Sequence, residues 1–276
     1  MNLVIQGPQA SPAHAAELAS LSGASSVDGL GLHAYRLRDA GAPAELAAWC
    51  EVRRLDWAWV PAGRRFADLK LVATDMDSTL ITIECIDEIG GMLGIKPQIA
   101  AITEAAMRGE IDYRQSLLRR VALLTGLEVS ALERVYEEKL RLSPGAERLV
   151  ERCKRAGIRL LLVSGGFTFF TDRLKDRLGI DYTLSNTLEV AGDRLTGRLV
   201  GGIVDADAKA ARFREIAATL GAAREQTVAM GDGVNDLKMM AEAGLSVAYR
   251  PKPLVRAHAT CAFIYCGLDG LLNLYE

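Results

Sequence analysis

The sequence predicts an α/β protein built on a Rossmann-like parallel sheet core, with an all-helical insertion and a small N-terminal α/β domain. Three observations predict it. From Lys70 onward, short, nearly all-apolar runs alternate with helical segments, as strands covered on both faces require. Residues 84–142 carry helical periodicity throughout and no strand pattern. Residues 1–62 show a β-α-β-α-β order of their own. The expected division is 1–66 for the N-terminal domain, 67–83 with 143–276 for the core, and 84–142 for the insertion.

In chain order, Leu3–Gln6 and His33–Arg38 read as strands. Ser11 reads as the N-cap of a helix whose first turn takes Pro12 and which runs to Leu21. Pro43 begins a second helix. Leu55, Trp57 and Trp59 then alternate with Asp56, Ala58 and Val60, the period-two mark of a strand with one buried face. Turn formers and charge in PAGRRFAD (61–68) make a linker. LKLVAT, RLLLV, TVAM, LSVAY and AFIY are the expected core strands, and Ser143-Pro144 opens a helix that Gly157 closes. Gly179 closes the next helix. Breaks near Gly94–Pro97, Gly109 and Thr125-Gly126 divide the insertion into three or four helices. TLEVAGDRLTGRLV reads as a hairpin turning at Ala191-Gly192-Asp193.

Composition removes several classes of function. With 33 basic against 35 acidic residues and a net charge of −2, there is no positive surplus for a nucleic-acid backbone or an anionic membrane. No apolar run is long enough to span a bilayer, and the N-terminus lacks the basic-then-apolar pattern of a signal peptide. The 5 cysteines are scattered without a Cys-x-x-Cys pair, so they read as small buried hydrophobes in a reducing cytoplasm. The 3 histidines lie outside every motif, which argues against histidine catalysis and a zinc site.

Ligands of a parallel sheet gather at the carboxyl ends of its strands. There the sequence places Asp75, Asp77 and Thr79 (DMDST), then Ser164-Gly165-Gly166, then Asp232, Asn235 and Asp236 (GDGVND). Each is an ordinary turn when read alone. If the loops converge, up to four carboxylates share one site and need a cation. An all-oxygen donor set suits a hard ion, Mg²⁺ first. The glycine turn offers free N–H groups to a phosphate.

DMDSTL, VSGGF, the lysine of DADAKA and GDGVND resemble, in order, the four signature motifs of the haloacid dehalogenase-like phosphatases, over roughly residues 70–276. The helical insertion sits where that family carries its cap domain. Within it the match is closest to the phosphoserine-hydrolysing branch, through Glu84 with IDEIG behind it, MRGEIDYRQSLLRRV (107–121) and VSGGF. The resemblance implies Asp75 as nucleophile and Asp77 as general acid and base. It implies Mg²⁺ on the Asp75 and Asp232 carboxylates and the Asp77 carbonyl. Ser164, Gly165 and Lys209 would grip the phosphoryl group, with Asn235 touching phosphate or substrate. Asp236 would orient Lys209 or a metal-bound water, and Thr79 support the site. In the cap, Glu84 would pair with the substrate ammonium and Arg120 with its carboxylate, Arg119 being the adjacent alternative; Met107 and Tyr113 would wall the pocket.

The implied substrate is O-phospho-L-serine, hydrolysed in the last step of serine biosynthesis by a cytoplasmic enzyme, with a homodimer as one expected assembly. Competing readings are the same chemistry on another small phosphate ester, phosphoryl transfer to a second amino acid, and a non-catalytic serine or phosphoserine sensor. Some bacterial members of the branch carry an N-terminal domain, sometimes of the amino-acid-binding ACT type. Three expected strands in residues 1–62 fall short of that pattern, and a regulatory or dimerisation module is a further reading of them.

Overall fold

The computed structural model describes residues 1–31 and 33–276. The N-terminal unit comprises β1 (Asn2–Gln6), α1 (Pro12–Ser22), β2 (Ser26–Gly31), β3 (Ala34–Arg38), α2 (Leu46–Val52) and β4 (Asp56–Val60). Its antiparallel sheet runs β2-β3-β1-β4. The Ser11 hydroxyl accepts the His14 N–H at 3.3 Å and starts α1, as its residue type predicts.

Two expectations are corrected here. Among the described residues there are four strands, in the order β-α-β-β-α-β. The strand the pattern missed, β2, is an edge whose residues are exposed or half-exposed, so it shows no apolar alternation. Helix α2 begins at Leu46, not at Pro43, and no side chain caps it.

Strand β4 is covered on both faces. Trp57 and Trp59 pack with α1 and α2, while Ala58 and Val60 join the large cluster of the core. The buried carboxylate of Asp56 accepts the backbone N–H groups of Ile264 (2.9 Å), Tyr265 (2.9 Å) and Cys266 (2.8 Å). Arg36, also buried, donates to the carbonyls of Asn273 (3.1 Å) and Tyr275 (2.7 Å). The unit is thus fastened to the C-terminal segment by charge-assisted hydrogen bonds as well as by apolar packing.

The core starts at β5 (Leu71–Thr74). The insertion follows as α3 (Cys85–Met92), α4 (Lys96–Met107), α5 (Tyr113–Ala122) and α6 (Val129–Arg134). The chain continues through α7 (Ala146–Arg155), β6 (Arg159–Phe167), α8 (Thr168–Leu178), β7 (Tyr182–Ala191), β8 (Arg194–Val200) and α9 (Ala206–Thr219). It ends with β9 (Thr227–Gly231), α10 (Leu237–Glu242), β10 (Leu245–Tyr249), α11 (Pro253–His258) and β11 (Cys261–Phe263).

The second sheet runs β11-β10-β9-β5-β6-β7-β8 and is parallel except for β8. Alternate strand residues feed two cores. Val72, Leu160, Leu162, Val228 and Met230 face one, and Leu71, Ala73, Leu161, Val163 and Ala229 the other. Helix α7 opens at Ala146 rather than at Ser143-Pro144. Gly145 precedes it with φ 78°, and a Cβ there would collide with Asp269, so glycine sets the start.

The insertion is held by the β7–β8 hairpin. Backbone bonds join Gly126 N–H to the Leu195 carbonyl, Leu195 N–H to the Leu127 carbonyl (both 2.8 Å) and Val129 N–H to the Asp193 carbonyl (2.9 Å). Among the described residues, no helix is long and apolar enough to cross a membrane. All five cysteines carry free thiols, four of them buried.

Candidate active site

At the end of β5 the chain turns sharply through Asp75–Leu80. Asp77 is extended and Ser78 left-handed at φ 54°, which lets both aspartates face the sheet's carboxyl edge. The Asp77 carboxylate accepts the N–H of Cys85, the first residue of α3, at 2.8 Å. It also accepts the Ser164 hydroxyl at 3.3 Å. Ser164 in turn accepts the Gly166 N–H at 2.8 Å, which shapes the glycine turn inside β6. Thr79 is fully buried and its hydroxyl donates to Asp232 at 3.5 Å.

The third and fourth motifs meet these from the neighbouring elements. Asp205 caps α9 by accepting the Ala208 N–H at 2.9 Å, and one turn later Lys209 enters the core. Its ammonium, completely buried, donates to Asp236 at 2.8 Å and to Asp75. Asp75, Asp232 and Asp236 each place a carboxylate oxygen within 4.8 Å of the others. Asn235 is half-buried beside Gly233, where any Cβ would strike its amide oxygen.

Crowded acids in a dry site resist ionisation. Burial, and then the charge of Asp236, push the Asp75 carboxyl well above the ordinary range, with Lys209 opposing. The same two causes push Asp232 up to about 6. Burial also raises Asp77, against the stabilising N–H of Cys85. For Lys209 burial works downward, but Asp236 and Asp75 outweigh it and hold the ammonium charged. One lysine cannot balance this set of carboxylates. A compact, all-oxygen, electron-rich donor group of this kind fits a hard divalent cation.

Around this centre the insertion contributes Glu84, Tyr113 and Arg120. Glu84 accepts the Ser78 hydroxyl at 2.7 Å, and burial followed by the Asp77 charge lifts its carboxyl to about 7. Helix α5 starts with a reciprocal cap. The Asp112 carboxylate accepts the Gln115 N–H (2.7 Å) and the Gln115 side chain accepts the Asp112 N–H (3.2 Å). That start sends Tyr113 over the glycine turn, so close that a Cβ on Gly165 would overlap its hydroxyl. Arg120 is half-buried and near enough to Tyr113 for its charge to counter the burial that raises the phenol, whereas Arg119 is exposed.

Met107 is not brought into the site. It ends α4 with 68% of its surface exposed, because that turn of the helix points away from the core. Three contributors had escaped the sequence reading. Ser78 holds Glu84, Lys252 lowers Asp232 through its charge, and Asn186 bonds the Gly165 carbonyl at 2.8 Å. Only Asn186 had a usable signal, as an amide in a strand, where asparagine is disfavoured.

The haloacid dehalogenase-like hydrolase family model matches residues 72–241, and a model for a domain of unknown function matches residues 3–47. A phosphoserine phosphatase of Polaromonas is 58% identical over 217 residues, covering 77% of this chain and 92% of that protein. The unliganded crystal structure of a probable phosphoserine phosphatase from Vibrio cholerae superposes with a TM-score of 0.87 at 36% identity. That match covers 99% of this chain and 85% of the other. A HAD family hydrolase from Salmonella enterica serovar Typhi gives 0.90 at 31% identity, over 100% and 98%. With its four motifs converging on one buried acidic centre, the chain belongs to the haloacid dehalogenase-like hydrolases.

Proposed function

We propose that this protein is a Mg²⁺-dependent phosphatase that hydrolyses O-phospho-L-serine to L-serine and phosphate through an aspartyl-phosphate on Asp75. The observation that carries the reading is the buried cluster of Asp75, Lys209, Asp236 and Asp232 with Asp77 beside it. A structural role would not need so many acids in a dry place.

The Asp75 carboxylate attacks phosphorus, and the serine oxygen leaves with the proton of Asp77, whose carboxyl burial holds above its ordinary range, the direction a general acid needs. Asp77 then takes a proton from the water that attacks the aspartyl-phosphate, releasing phosphate and restoring Asp75. Ser164, the Gly165 N–H and Lys209 hold the phosphoryl oxygens, and Lys209 offsets their charge. Asp236 keeps Lys209 in place. Asn235 borders the phosphate. The Asp75 and Asp232 carboxylates and the Asp77 carbonyl would hold Mg²⁺, which would supply the charge that lets an anionic nucleophile approach an anionic ester.

Selectivity rests on the cap. Glu84 takes the substrate ammonium, Arg120 forks onto its carboxylate, and Tyr113 closes the pocket above Gly165. In this reading residues 84–142 form the cap domain, 67–83 with 143–276 the catalytic core, and 1–66 a separate domain; the enzyme works in the cytoplasm.

The test is phosphate release from O-phospho-L-serine with Mg²⁺ or with excess EDTA, beside phosphothreonine and glycerol phosphate, and with Asp75→Asn as blank. Turnover that is metal-dependent, selective for phosphoserine and absent from the variant is expected. Turnover of glycerol phosphate alone would overturn the roles of Glu84 and Arg120, and no turnover of any ester would overturn the enzyme.

A further inference from the structure

Strand β7 changes partners at Asn186. Up to that residue it runs parallel to β6, with Asn186 opposite Phe167. From Thr187 it runs antiparallel to β8, in the hairpin that grips the cap. The Asn186 side chain is buried and both ends are used. Its Nδ2 donates to the Gly165 carbonyl at 2.8 Å, and its Oδ1 accepts the Val204 N–H at 2.8 Å. Gly165 lies in the phosphate turn. Val204 stands immediately before Asp205, the cap of the helix that carries Lys209. The carbonyl of the same Val204 accepts the Tyr113 hydroxyl, from the cap domain, at 3.2 Å.

We infer that Asn186 is a positioning residue for phosphoryl transfer, and that the Tyr113 hydroxyl completes its brace from the cap. The inference rests on the function proposed above. The brace fixes the distance between the two groups that hold the phosphoryl oxygens, the Gly165 turn and Lys209. It is complete only when the cap is seated, so closure and alignment become one event. An apolar strand residue would leave the Gly165 carbonyl and the Val204 N–H without these partners in a buried place, which is why an amide stands here.

The test compares wild type with Asn186→Asp, Tyr113→Phe and the double variant, on phosphoserine and on p-nitrophenyl phosphate, with folding checked by thermal unfolding. Asn186→Asp keeps the shape and the bond to Val204 but turns an acceptor toward the Gly165 carbonyl. Its kcat should fall about 100-fold on both esters, as for a small misplacement of reacting groups, with KM changed far less. Tyr113→Phe should lower kcat by a smaller factor, and the double variant should be no slower than Asn186→Asp, because the brace is already open.

Unchanged kcat in folded Asn186→Asp, or losses that multiply in the double variant, would overturn the inference. If Asn186→Asp does not fold, Tyr113→Phe decides, and an unaltered kcat overturns the brace. Wild-type turnover of p-nitrophenyl phosphate without turnover of phosphoserine would refute the substrate and still test the brace.

Discussion

The ammonium of Lys209 and the carboxylate of Asp236 meet at 2.8 Å with 1% and 0% of their side chains exposed. Asp75 binds the same ammonium. Replacing Lys209 by Met removes a buried positive charge from a group of buried carboxylates. Breaking a buried pair in this way costs about 3–5 kcal/mol. Activity should drop at least ~1000-fold, the scale of losing a principal stabiliser of transition-state charge. Denaturant unfolding and steady-state kinetics on the purified variant check both numbers.

Stability should depend jointly on pH and metal. The Asp232 carboxyl, lifted to about 6, and Glu84, lifted to about 7, both bind protons more tightly folded than unfolded. The stability they contribute is therefore complete below their unfolded values, near 4, and is lost as pH rises through about 6 to 7. Above that range the metal-free protein carries its acids charged and uncompensated. Mg²⁺ should raise Tm more at about pH 8 than at about pH 5, where protons compete for the same oxygens. Calorimetry in Mg²⁺ and in EDTA reads this directly, and an equal Tm gain at both pH values contradicts it.

Glu84 and Arg120 should control KM. On the proposed function, Glu84→Gln and Arg120→Ala would each remove a charge-assisted contact with the amino-acid end of the substrate, which corresponds to a roughly 10- to 100-fold rise in KM. Arg119→Ala, on the exposed side of α5, should leave KM unchanged. Neutral Glu84 cannot pair with an ammonium, so wild-type kcat/KM should climb as pH rises through about 7, and Glu84→Gln should lose that limb. A pH series on the two proteins side by side is the measurement.

Asp56 should matter for stability and not for chemistry. Its carboxylate accepts three backbone N–H groups from residues 264–266, joining the N-terminal unit to the core. Asp56→Ala leaves those half-buried donors without it, at a cost of about 1–3 kcal/mol. Urea unfolding should move to lower denaturant, while kcat and KM of the folded enzyme stay at wild-type values.

Much of this architecture was legible along the chain. Alternating apolar runs marked the core strands, glycines closed α7 and α8, and turn formers marked the β7–β8 hairpin. The motif acids follow strands whose apolar runs are unmistakable, so their place at one edge of the sheet followed from the parallel topology. Lys209 gave no local sign of burial, and its place came from the resemblance alone.

What only the tertiary structure decided shares one physical cause. Periodicity reports which face of an element is buried, and so it passes over an exposed edge such as β2. It also misassigns β4, where both faces find a neighbour. Polar residues give no such signal when their partners are far away in the chain. Asn186 reaches Gly165 and Val204, Asp56 reaches Ile264, and Ser78 reaches Glu84 across a left-handed turn. The sequence by itself determined the elements and the chemical groups available to the site. The fold decided which of those groups face one another, because hydrogen bonds and charges act on distance in space and not on separation along the chain.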